Sequence, residues 1–380
     1  MPHEASVVDP GKGASKRGGL MASGAWAGLA LSICALGMPA AATSASAPRA
    51  PVFAGFYDAW DQTDLPALPR QLAGLDVFAP RWLTIRGAQG QVVVEPDNGA
   101  GPIAARAGVR LKLMPLISNA HDDVWDQAAA DAVILNPAIQ KAFLAQLSHL
   151  ARGRRYAGYI FDFENLSPRA LAGYPALLGA ARAVLTSSGL QVWATVAPGA
   201  EQPFKAMASA GDAAVLMAYD ECWATSNAGP LAGADWLRRL LADRLSGVDP
   251  RHVVVALAAY GYDWPDGRPG QPIGAADALR LAARMKATVR RDPASRNEHF
   301  AYTAADGRAH QVWFVDAQAF AADRAVAAVW RPRGYAIWRL GLEDPATWGL
   351  PPAPRLGAPA AGGQGPAPHP CDLLKPAGGA

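Results

Sequence analysis

Between Val52 and Trp338 the chain alternates short apolar runs with segments of helical character, eight times over. The runs are Val52–Tyr57, Leu75–Leu83, Leu111–Ile117, Tyr156–Asn165, Leu190–Val196, Ala213–Tyr219, Val253–Ala258 and Gly334–Trp338. Strand-length runs separated by helix-length segments are the pattern of parallel βα units. Eight of them predict an α/β fold, a closed (β/α)8 TIM barrel, with an open doubly wound sheet as the alternative. Helix starts are marked at Asn136-Pro137 and Ser167-Pro168, where a capping side chain precedes a proline. After the first of these, Ile139, Phe143, Leu147 and Leu150 recur at helical spacing on one face.

The connection between the seventh and eighth runs, about residues 265–333, is too long for a loop. It carries a helical segment, Ala275–Lys286, and two alternating segments, His299–Thr303 and His310–Val315, around Asp306-Gly307. Asp-Gly between such runs is a hairpin signal. A small α+β insertion beside the barrel mouth is expected.

At the N-terminus, Lys16-Arg17 precede an apolar run from Gly18 to Met38, followed by Ala-x-Ala patterns at 40–42 and 45–47. Residues 1–47 read as a signal peptide and leader, with an N-terminal membrane anchor as the alternative. Residues 48–350 form the barrel, and 351–380, rich in Pro, Ala and Gly, read as a disordered tail. No second apolar run of about 18 residues follows. The mature protein is therefore expected in the periplasm or outside the cell, soluble and without stable membrane insertion; a monomer is expected, though no residue pattern bears on oligomeric state. Removal of the leader takes Cys34 away and leaves Cys222 and Cys371. A distant pair with one member in the tail is not expected to form a bridge, and Cys222 reads as an incidental small residue.

Charged residues make up 18% and the net charge is +3, too balanced for a chain that binds nucleic acid electrostatically. The seven His are scattered and no H-E-x-x-H occurs, so no metal is expected. No glycine-rich phosphate loop follows a strand, and no cofactor is expected; no G-x-S-x-G elbow supports Ser-His-Asp catalysis.

Chemistry concentrates in the fourth run. As a strand it places Tyr159, Phe161 and Phe163 on one face, and Gly158, Ile160, Asp162 and Glu164 on the other. The aromatic face suits packing on helices. The two acids, ~7 Å apart along the strand, suit the C-terminal mouth of a barrel, where such enzymes keep their chemistry. Burying acids is costly, so one carboxyl held protonated and one charged is the functional reading. Met217-Ala-Tyr-Asp220 ends the sixth run, where Tyr219 has a hydroxyl to donate and Asp220 a charge to offer. Trp338 ends the eighth. Tyr57, Asp58, Trp60 and Asp61 follow or end the first run, Trp82 and Asn119 the second and third, and these are candidate substrate contacts. Trp223 and Trp264 are candidate stacking platforms.

Four motifs occur in order: Phe-Asp-Phe-Glu-Asn at 161–165, Leu-Met-Ala-Tyr-Asp at 216–220, Tyr-Gly-Tyr-Asp-Trp at 260–264 and Ala-Ile-Trp-Arg-Leu-Gly at 336–341. Together they resemble glycoside hydrolase family 18, the chitinase-like barrels. The likeness is greatest to the spore-cortex-hydrolase branch and to family 18 domains fused to polysaccharide deacetylase or glycosyltransferase modules. The insertion and Leu342-Glu-Asp-Pro345 fit that branch as well. The resemblance implies a glycosidase acting on polysaccharide that contains β-linked N-acetylglucosamine: peptidoglycan, exopolysaccharide or a chitin-like chain. It implies that Glu164 is the general acid and that Asp162 orients the substrate's 2-acetamido group. That group itself attacks the anomeric carbon with retention of configuration. Tyr219 then holds the acetamido carbonyl beside Asp220, Trp338 floors the cleaved sugar, and Met217, Tyr260 and Trp264 line the site. Where the family pattern has further acids this chain has Ala157 and Ile160. That departure motivates the alternative of a carbohydrate-binding barrel with weak or no catalysis.

Overall fold

A computed structural model describes residues 50–58, 65–121, 124–199, 203–351 and 371. The leader, the loop residues Trp60 and Asp61, and all of the tail except Pro351 and Cys371 lie outside the described residues.

The barrel strands are β1 (Val52–Tyr57), β2 (Val77–Arg86), β3 (Leu116–Ser118), β4 (Gly158–Asp162), β5 (Gln191–Val196), β6 (Ala213–Ala218), β7 (Val253–Ala258) and β8 (Gly334–Trp338). Neighbours in sequence pair in parallel all the way round. The ring closes because β1 pairs with both β2 and β8, from Val52 opposite Gly334 to Gly55 opposite Ile337. Closure decides for the barrel and against the open sheet. The third apolar run is broken into Lys112–Leu113 and Leu116–Ser118, because Pro115 between them has no N–H to give a ladder. β2 runs past the barrel to Arg86 and folds into a hairpin with Gln91–Val94.

The alternation in β4 sorts as its sequence expects. Phe161 meets Phe143 edge-on at 6.0 Å, Phe163 stacks on Tyr174 at 5.7 Å, and the Tyr159 hydroxyl donates to Leu147 O at 2.6 Å. Those partners lie on the helices Pro137–Arg154 and Pro168–Leu185. Both helices start where the sequence marks them. The Asn136 side chain accepts from Ala138 N and Ile139 N, and Ser167 Oγ accepts from Ala170 N. The opposite face of β4, with Ile160 and Asp162, therefore points down the barrel axis.

The insertion is an antiparallel sheet of five strands in the order Gln271–Ile273, Gly261–Pro265, Ala309–Phe314, Glu298–Thr303, Arg290–Arg291. Helix Ala275–Met285 covers one face, with Ala278 and Ala282 among Phe300, Val312 and Phe314. The sheet begins before residue 265 and ends well before 333. The remainder is a barrel helix, Ala317–Ala328, whose Phe320 packs near Phe53 of β1 at 6.4 Å. Its alanine-rich sequence carries little apolar periodicity, so nothing in the pattern announced it.

The two cysteines depart from expectation. Cys222 and Cys371 are joined as a disulfide with Cα atoms 5.6 Å apart. Both are buried, beside Trp264, with Tyr262 and Trp313 packed around them. Gly229 makes room for the bridge, since a Cβ there would sit 2.4 Å from Cys222 Sγ. Sequence separation hid the pairing because only folding brings the end of the chain to the loop after β6. Among the described residues no helix is long and apolar enough to cross a membrane.

Candidate active site

Four acids converge on the C-terminal mouth of the barrel: Asp58 after β1, Asp162 at the end of β4, Glu164 two residues beyond it, and Asp220 after β6. The end of β4 aligns Ser118 of β3 with Asp162 in register. Thr195 of β5 donates its hydroxyl hydrogen to Asp162 Oδ1 at 2.6 Å. Below them Ile160 is fully buried, so Asp162 has hydroxyl neighbours where the family pattern puts a carboxyl. Asp162 also feels the guanidinium of Arg81, which is itself paired to Asp58 with Nε 3.2 Å from Oδ2.

The electrostatics separate the carboxyls. Burial pushes Glu164 up, the nearby charges of Asp162 and Asp220 push it further, and its pKa reaches about 8. Burial also raises Asp162, but Thr195, Arg81 and Ser118 all favour its charged form. Among the described residues no hydrogen-bond donor opposes the shift of Glu164, so burial and like charge act on it unopposed and favour its protonated form. Asp220 is raised by burial to about 6, against the opposing hydrogen bond from the Tyr260 hydroxyl. The backbone of Asp220 is left-handed, with φ +61°, an uncommon conformation for a residue with a Cβ. It turns the carboxyl toward Tyr260.

Aromatic rings wall this centre. Tyr219 stacks on Trp338 with centroids 6.0 Å apart and planes within 12°. Tyr260 meets Tyr219 edge-on at 6.2 Å, and Phe56 meets Trp338 at 5.6 Å. Burial and the charges of Asp220, Asp162 and Glu164 hold the Tyr219 phenol far above its usual range, so it stays a neutral donor. Met217 and Trp338 are only partly buried, and the Trp223 indole is 44% exposed.

Asp162, Glu164, Tyr219, Asp220 and Trp338 are thus brought together. Other candidates are placed differently. Tyr57 is buried with its ring 5.7 Å from Phe78, and Trp82 is buried edge-on to the same Phe78. Both belong to the packing of β1 and β2 rather than to an open cleft. Asn119 is fully buried, and its amide is spent on the backbone of Glu164. Tyr260 is buried and spent on Asp220. Trp264 lies under the disulfide and donates Nε1–H to Trp223 O at 3.3 Å, so it is not a free platform. Trp60 lies outside the described residues. Arg81 and Thr195 lie inside apolar runs and Ser118 just past one, and none of the three stands out in the sequence as a site residue. An arginine or hydroxyl in a strand becomes informative only once its neighbours across the barrel are known.

No family model matches the chain. It is 26% identical over 253 residues to the cortical fragment-lytic enzyme of Bacillus subtilis, a match spanning 62% of this chain and 58% of that protein. Its fold superposes on a chitinase from Chromobacterium violaceum with a TM-score of 0.72 and 26% identity, covering 79% of this chain and 97% of the other. The spore cortex-lytic enzyme SleL of Bacillus cereus shares the fold with a TM-score of 0.71 at 20% identity, covering 79% and 73%. In its motifs, its closed barrel and its relatives, the chain resembles the spore-cortex-hydrolase-like branch of the family 18 glycosidases.

Proposed function

We propose that this chain is a retaining glycoside hydrolase that cleaves polysaccharide containing β-linked N-acetylglucosamine by substrate assistance. The observation that carries the reading is the meeting of Glu164, pushed up to about 8 by burial and the charges of Asp162 and Asp220, with Asp162, Tyr219 and Trp338 at the barrel mouth. Glu164 gives its proton to the glycosidic oxygen as the C1–O bond breaks. The 2-acetamido carbonyl oxygen closes on C1 and forms a cyclic cation, with Asp162 oriented toward the acetamido N–H and Tyr219 toward its oxygen. Water then opens the ring, giving its proton to the Glu164 carboxylate, and configuration at C1 is retained. Trp338, half-buried and backed by the stacked ring of Tyr219, offers a ring face for the cleaved sugar.

The disulfide supports action outside the cytoplasm, because such bridges persist in oxidising compartments. The test compares fully acetylated with fully deacetylated glucosamine oligomers as substrates, with products resolved by mass. Cleavage of the acetylated series alone is expected. Equal cleavage of both would remove the acetamido group from the mechanism.

A further inference from the structure

We propose that Asn119 is a positioning residue for the general acid, its buried side-chain amide gripping the Glu164 peptide on both sides and so aiming the carboxyl. The inference rests on the reading of Glu164 as that acid.

The β3–β4 ladder ends with Ser118 opposite Asp162. Glu164 lies two residues past that end, so its peptide groups have no strand partner in a buried mouth. Orphaned backbone groups there cost about as much as a lost hydrogen bond. Asn119, the residue directly after β3, supplies both partners. Its Oδ1 accepts from Glu164 N at 3.0 Å, and its Nδ2 donates to Glu164 O at 3.0 Å. A primary amide accepts only at its oxygen and donates only at its nitrogen, and only one orientation satisfies both contacts. It extends the ladder by a side chain where the backbone stops.

The grip has an anchor. The second Nδ2 hydrogen goes to Asp126 O at 3.3 Å, and Asp126 N donates back to Asn119 O at 2.7 Å. The Asp126 carboxylate caps helix Gln127–Leu135 by accepting from Ala129 N at 2.9 Å, and accepts from Gly87 N at 3.0 Å in the β2 hairpin. The position of Glu164 is thereby tied to a helix terminus and a hairpin outside the barrel axis. Both Nδ2 hydrogens are spent and the side chain is fully buried, so the Asn119 amide does not reach a substrate. A displacement of the acid by about 1 Å is enough to cost on the order of 10²-fold in rate, which is why the grip matters.

The test uses Asn119→Ala and Asn119→Asp in the full chain. The Asp variant keeps an acceptor for Glu164 N–H but sets a lone pair against Glu164 O. On an acetylated oligosaccharide kcat should fall about 10²-fold for Asn119→Ala and about tenfold for Asn119→Asp, with KM within about threefold of wild type. Amide exchange at Glu164 should accelerate in Asn119→Ala, while Phe161 within the ladder keeps its protection. A raised KM with unchanged kcat, or a kcat loss no larger than the loss of folded protein, would overturn the inference. If the wild type releases no product, the general-acid reading fails. The exchange measurement still decides: unchanged Glu164 protection in Asn119→Ala rules out the grip.

Discussion

Thr195 Oγ1 lies 2.6 Å from Asp162 Oδ1, the hydroxyl on β5 donating to the acid on β4. With Ser118 and the Arg81 guanidinium also favouring the charged carboxylate, this contact compensates for Ile160, an apolar residue where a second acid is expected from the family pattern. Replacing Thr195 with Val removes the hydroxyl and leaves the shape. Asp162 then moves up and competes with Glu164 for a proton. A fall in kcat of about tenfold, within the range of one lost charge-assisted hydrogen bond, is expected in steady-state kinetics, with little change in melting temperature.

Two raised carboxyls, Glu164 and Asp220, set the expected pH dependence. Glu164 acts as an acid only while protonated, so activity is lost as pH rises through about 8. If Asp220 serves the proposed mechanism by stabilising developing positive charge, it does so only when ionised, and activity is gained as pH rises through about 6. A bell in kcat/KM between these limits is expected, each limb belonging to the set of interacting carboxyls rather than to one residue alone. Asp220→Asn should flatten the acidic limb and leave the alkaline one.

Asp323 is fully buried on helix Ala317–Ala328, and both its carboxyl oxygens lack a hydrogen-bond partner. Burial, with the charge of Glu221 beside it, raises its pKa far above the usual range, and burial raises Glu221 to about 7. Both groups are protonated in the fold over a range where the unfolded chain ionises. Their contribution is therefore full below about pH 4 and is lost as pH rises toward their folded values. Asp323→Leu should raise stability at pH 7 by about 1–3 kcal/mol, the cost of an unsatisfied buried polar group. It should also weaken the decline in melting temperature between pH 5 and 8.

The Cys222–Cys371 bridge spans 149 residues of sequence. Loops of that size gain up to about 5 kcal/mol in the chain-entropy account, and measured bridges give about 2–4. Cys371→Ser, or reduction of the wild type, should lower the denaturation midpoint accordingly. Peptide mapping without reduction should recover the two cysteines linked.

The barrel was legible because parallel strands buried on both faces leave continuous apolar runs, and because Asn136-Pro137 and Ser167-Pro168 mark helix starts locally. The acids were legible because alternation along β4 puts Asp162 and Glu164 on the face away from the aromatic residues. What escaped depends on contacts between distant segments. Asn119 looked like a substrate contact until its amide was found on Glu164. Tyr57 and Trp82 looked like mouth residues until Phe78 claimed them. Cys371 lay in a stretch whose composition says only that it lacks a core of its own, and its partner lies across the fold.

Turnover of an acetylated chitooligosaccharide by Glu164→Gln asks whether Glu164 carries the proton to the leaving group. Glutamine keeps the shape and has no proton to give. A loss of about 10²–10⁴-fold in kcat, the share of general acid catalysis, with an unchanged melting temperature is the expected result. Turnover within a factor of about two of wild type would contradict the account, since so small a change is under 0.5 kcal/mol of barrier.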